Sequence, residues 1–138
     1  MKTKSFGLFF LVTSLLLTAC HKKDNDTNNT ATLSGTWHMR HVAGGFVGVA
    51  IDLDRNVVVW TFNEGAQILT VENNMDTSDP NYPFSGLPTG TYAFEVVDMD
   101  GVNILQIEGA DQGEYVATST SLTIDDRPAD GYLRTFEK

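Results

Sequence analysis

The stretch VVVWTFN, residues 57–63, repeats with a period of two. Val58, Trp60 and Phe62 fall on one side of an extended chain, and Val57, Val59 and Thr61 on the other. The same period runs through TYAFEVV, residues 91–97, where Tyr92, Phe94 and Val96 share a side. From Gly35 onward this period replaces the helical one, so the folded part is expected to be all-β. Eight strands are expected, near 35–43, 46–54, 56–63, 66–73, 90–98, 102–109, 114–125 and 131–138, the seventh with a kink around Ser119–Ser121. Asn63-Glu64-Gly65-Ala66, Asp98-Met99-Asp100-Gly101 and Asp111-Gln112-Gly113 read as turns, because glycine reaches positive φ and Asn or Asp bonds its own backbone. Short links of this kind make sequence neighbours spatial neighbours, which predicts an antiparallel up-and-down meander. Eight strands can form a two-sheet sandwich or a closed barrel, and composition does not choose between them.

Upstream of the strands the composition changes twice. Residues 21–33, HKKDNDTNNTATL, are polar and hold no large apolar side chain before Leu33. They cannot bury enough surface to offset chain entropy, and read with Cys20 as a flexible leash over 20–33 that extends to roughly 40 Å. Residues 1–19 carry Lys2 and Lys4, then the apolar run FGLFFLVTSLLL, then Thr18 and Ala19. That order is an export signal, and its apolar run is shorter than the ~20 residues of a bilayer span. Leu17-Thr18-Ala19-Cys20 resembles the lipobox of bacterial lipoproteins. The resemblance implies cleavage before Cys20, a diacylglycerol on its sulfur and a membrane as partner. His21, rather than an aspartate, after the cysteine resembles outer-membrane sorting. His21-Lys22-Lys23-Asp24-Asn25-Asp26 resembles the tether with which Bacteroidetes place lipoproteins on the cell surface; the plainer reading is a solvated linker. Cys20 is the sole cysteine, so on this reading no thiol remains for catalysis, a disulfide or a metal.

Loss of residues 1–19 leaves 119 residues, enough for one domain (34–138), and the formal charge moves from −9 to −11 because Lys2 and Lys4 leave. Such a surface repels phosphate backbones, so nucleic acid is excluded as a partner class.

Leu33-Ser34-Gly35-Thr36-Trp37 resembles the Gly-x-Trp opening of lipocalins and their calycin relatives, and Tyr132-Leu133-Arg134-Thr135-Phe136 resembles their last strand. The resemblance implies a closed barrel in which Arg134 lies on the Trp37 indole, a cation–π contact of about 0.5–2 kcal/mol, and seals one end. Small lipocalin-like lipoproteins of Bacteroidetes share the lipobox, the leash and the opening GTW. A ligand would then enter at the opposite mouth. Trp60, Phe62, Tyr92 and Phe94 are the candidates to line a small apolar pocket, or to fill it. The Pro-rich break at 74–89 offers Tyr82, Phe84 and Leu87 as candidates for a lid or for docking a partner, since loops on rigid scaffolds carry function; the plainer reading is a Pro-stiffened crossover whose aromatics fold back on the barrel end.

No catalytic site and no cofactor are expected. His38 and His41, three apart on a strand, are expected on opposite faces and cannot share a metal without a bulge. Nucleophile elbow, phosphate-loop and HExxH patterns are missing, and Glu95 and Glu108 are ordinary exposed acids. Asp98-Met99-Asp100-Gly101 lacks the third acid and the closing glutamate of a calcium loop and reads as a hairpin turn. Asp125-Asp126 with Asp130 reads as an acidic turn neutralised by Arg127. Two functions remain: holding a small apolar ligand, or binding an envelope protein as an inhibitor or accessory subunit.

Overall fold

A computed structural model describes residues 32–138; the expected signal segment, Cys20 and the expected linker up to residue 31 lie outside the described residues. Nine strands follow in order: β1 (Gly35–Gly44), β2 (Val49–Asp52), β3 (Val58–Asn63), β4 (Ile68–Asn73), β5 (Gly90–Met99), β6 (Val102–Ile107), β7 (Ala110–Ala117), β8 (Ser121–Asp125) and β9 (Tyr132–Glu137). Every pairing is antiparallel, and neighbours in sequence are neighbours in the sheet from β3 to β9. β9 then pairs with β1, from His38↔Glu137 to Gly44↔Tyr132, and the sheet closes into a barrel. The all-β class, the meander and the eight-strand closure agree with the expectation.

Two strand boundaries do not. The expected strands 46–54 and 56–63 are two segments along one edge of β1. β2 pairs with His41–Gly44, and β3 pairs with Gly35–His38. Between them Val57 N donates to Asp54 O at 3.2 Å, and Asn56 takes φ 74°, so a turn interrupts what would otherwise be a single barrel strand. The expected strand 114–125 is a hairpin, β7 and β8, rather than a kinked strand. Its turn is closed by Thr118, whose N–H donates to Ser121 O at 2.8 Å, while its Oγ1 accepts from the Ser121 and Thr120 N–H groups. The two differences offset one another in the strand count.

Alternation sets the core. Trp37 faces Trp60, Trp60 faces Val71, and Phe62 faces Leu69 across consecutive strands, all pointing inward and all at most 2% exposed. Phe94, Leu105, Ile107, Tyr115, Leu122, Ile124 and Phe136 complete the interior from the other side. Trp60 meets Phe136 at 5.1 Å, and Phe62 meets Phe94 edge-to-face at 5.0 Å between ring centroids. Such pairs add about 0.5–1.5 kcal/mol each beyond the area they bury. The barrel is therefore packed with side chains.

The meander gives the barrel two distinct ends. At the entry end lie Leu33 and the β3–β4, β5–β6 and β7–β8 turns. At the far end lie the β1–β2 turn, the 74–89 segment, the β6–β7 turn and the β8–β9 link.

Candidate functional site

The entry end is sealed by Trp37, fully buried, whose Nε1 donates to Leu33 O at 2.7 Å. The cation over its indole is Lys138, with Nζ 4.6 Å from the ring centroid, and not Arg134 as the resemblance implied. Register explains the correction. β9 runs antiparallel to β1, so Phe136 faces Met39 and Arg134 faces Val42, with one extra residue on β1 between Met39 and His41. That separates Arg134 from Trp37 by about 14 Å of strand at 3.4 Å per residue. Glu64, in the β3–β4 turn, ties down the incoming chain. It accepts from Leu33 N–H at 3.2 Å, from the Ser34 hydroxyl at 2.8 Å, and from the Thr32 hydroxyl. Burial pushes the Glu64 carboxyl up, but these donors outweigh it and hold it below the ordinary range.

Arg134 belongs to the far end. It is mostly buried, its guanidinium lies 5.9 Å from the Tyr132 ring, and its Nε is buried without a partner among the described residues. Burial lowers its pKa, while Asp126 and Tyr132 act in the opposite sense. The 74–89 segment folds over this mouth. A Cβ on Gly86, where φ is +87°, would sit 3.5 Å from both Met39 and Trp60 and 3.9 Å from Arg134 Nε, so the segment caps the interior directly. Ser85, 1% exposed, donates to Tyr82 O and accepts from Asn73 Nδ2, both at 2.7 Å, which ties the cap to the end of β4.

The docking candidates lie on this segment. Phe84 packs edge-to-face on Tyr132 at 5.9 Å, Leu87 packs against the core, and Tyr82 is half-buried at the start of a 3-10 turn, Tyr82–Phe84. These side chains fold back on the barrel. Of the ligand-lining candidates, Trp60, Phe62 and Phe94 fill the interior. Tyr92 is half-buried, with its hydroxyl donating to Pro88 O at 2.8 Å. The four share one face as expected, and that face is packed.

The two most exposed large apolar side chains lie elsewhere. Phe46 is 98% exposed and Val47 78%, at the tip of the β1–β2 turn. The turn sequence is Gly44-Gly45-Phe46-Val47-Gly48, with φ of +118° at Gly44, +68° at Gly45 and +70° at Gly48. At Gly45 a side chain would also strike the Tyr132 ring, 2.7 Å from where its Cβ would stand. Only glycine fits there, and the geometry holds Phe46 out from the far end. Phe46 falls inside the expected strand 46–54, although the glycines that bracket it are a turn signal.

His38 and His41 both lie on the outer side of β1, because the bulge after Met39 resets the alternation. They do not converge: His41 Nδ1 bonds Asp52 Oδ1 at 2.7 Å, whereas burial, Arg55 and Arg40 together lower the His38 pKa. Among the described residues no group of three or more His, Cys, Asp or Glu side chains is placed to hold a metal ion. Asp100 and Gly101, with φ of 55° and 85°, form the tight hairpin turn expected at 98–101. Arg127 does neutralise Asp125, with two bonds of 2.9 and 2.6 Å.

The fold and its ends define a small, closed, side-chain-filled antiparallel β-barrel with one apolar finger. No protein-family model, curated protein or solved structure matches the chain.

Proposed function

We propose that this is a lipid-anchored, non-catalytic envelope protein whose barrel binds another protein through the Phe46–Val47 finger. The observation that carries the reading is a 98% exposed Phe46, held out by three glycines, on a barrel whose interior is already full. Burying a Phe side chain in a partner's pocket contributes about 1.5–3 kcal/mol, and buried aromatic anchors dominate interface energetics. The full interior favours a protein partner over a small apolar ligand, since Trp60, Phe62 and Phe94 occupy the space that a ligand would take.

The lipobox resemblance at Leu17–Cys20 supplies the anchor, and His21 after it supports an outer-membrane address. Two or three acyl chains hold far more firmly than one. Leu33 comes in at the end of the barrel opposite the finger, which suits a domain that works away from its lipid. The eight-strand closure and the sealing Trp37 support a calycin-type relationship for the barrel.

The test is native purification of the full-length protein and its Phe46→Ser variant from membranes by detergent. Both should begin at an acylated Cys20 and melt at the same temperature, and the variant should lose a partner protein that the wild type retains. Equal retention by the two, or an unmodified cysteine in material that washes off cells, would overturn the proposal.

A further inference from the structure

The outer face of β5, β6 and β7 carries a groove of about 400 Å³. Its floor is apolar: Met99 faces Val102 across the β5–β6 hairpin, and Ile104 lies one step further along the same side of β6. Its wall is Pro128 and Ala129, in the short 3-10 turn Arg127–Ala129 of the β8–β9 link. Gly113 makes the groove possible. At φ +108° it lets the Asp125 carbonyl approach so closely that any Cβ there would collide with backbone. The link is thereby brought against the outside of β7, and the sheet surface becomes a trough.

Charge decides what fits the trough. Asp111, Glu114, Asp125 and Asp126 line it, and among the described residues no lysine or arginine does. Asp125 is neutralised by Arg127 and Asp126 is drawn on by Arg134, while Asp111 accepts from the neutral Gln106 amide, at 2.6 Å. Glu114, exposed, sits beside Ile104 on one side and Asp125 on the other. Between residues 95 and 130 the chain has nine carboxylates and one basic side chain, Arg127. An anionic ligand or membrane surface is repelled by this flank. An apolar ligand alone would leave the rim unanswered. Lysine and arginine match both features, because their aliphatic stems cover apolar surface while the charged head stays at the wet edge.

We infer that this groove docks a segment of a partner protein in which basic and apolar side chains alternate. The inference rests on the protein-interaction reading and adds a second contact to it. The β8–β9 link joins the two: Gly45 N–H donates to Gly131 O at 2.9 Å, and Gly44 abuts the Arg127 side chain. The finger and the groove therefore flank the same link and can engage one partner.

The probe is a fluorescein-labelled octapeptide of alternating leucine and lysine, titrated into the full-length protein by anisotropy, with an alternating leucine–glutamate octapeptide as its counterpart. The lysine peptide should bind, and more weakly as salt rises, because exposed charge pairs are screened. The double variant Asp111→Asn, Glu114→Gln should bind it about fivefold more weakly, from two exposed ion pairs of about 0.5 kcal/mol each. Ile104→Ser should weaken it independently when read well below the melting point, which loss of a half-buried β-branched side chain lowers, and the double variant should melt as the wild type does. Phe46→Ser should leave peptide affinity unchanged, so failure of the finger reading and failure of the groove are separable. Equal binding of the two peptides, or an unchanged affinity in the Asp111, Glu114 double variant, would overturn the inference.

Discussion

Glu64 shows how much of the entry end hangs on one side chain. It accepts from Thr32, Leu33 and Ser34, and so fixes the strand that carries Trp37. Its folded pKa lies below the 4.5 of a free glutamate. The stability it contributes is therefore fully present above about pH 4.5 and is lost as pH falls through the lower, folded value. Thermal melts of the wild type and Glu64→Gln should differ most near neutral pH and converge below pH 4.5; a gap that widens on acidification would contradict the clamp. Trp37 was legible beforehand only through the Gly-x-Trp resemblance, because alternation alone does not say which face of a first strand points inward. Its partner was not. Whether Arg134 or Lys138 reaches the indole depends on β-pair register, and a single bulged residue at 39–41 shifts every contact beyond it.

At the level of elements, alternation identified strands well and turns unevenly. Turns built on Asp-Gly or Asn-Glu-Gly announce themselves, whereas Thr118-Ser119-Thr120-Ser121 turns by hydroxyl bonds to its own backbone and contains neither glycine nor proline. The 74–89 segment left two readings open, aromatics that dock a partner or aromatics folded back on the barrel end; Asn73 and Ser85 draw the segment onto the mouth. It is a cap, and the finger is the β1–β2 turn. Phe84→Ala should therefore lower stability by roughly 1–2 kcal/mol, for a half-buried ring that also loses its contact with Tyr132, and should leave partner retention intact. Denaturant melts and co-purification read the two effects separately. Lost retention at unchanged stability would return the docking role to this segment.

For the whole molecule, the period of two was enough to give an all-β domain, but closure and filling are properties of side-chain volume summed around eight strands, which no local window contains. Two tryptophans and three phenylalanines, Phe62, Phe94 and Phe136, occupy the interior of a short barrel. On the proposed reading recognition falls to the outside, where a glycine-held finger at the far end and a carboxylate-rimmed trough on the flank adjoin one link. The most direct test of this outward-facing account is photo-crosslinking in living cells with benzoylphenylalanine at position 46, and at exposed Thr70 of β4 as the control. The account predicts a discrete protein adduct from position 46 and none from position 70. No adduct at 46, or the same adducts from both positions, would contradict it.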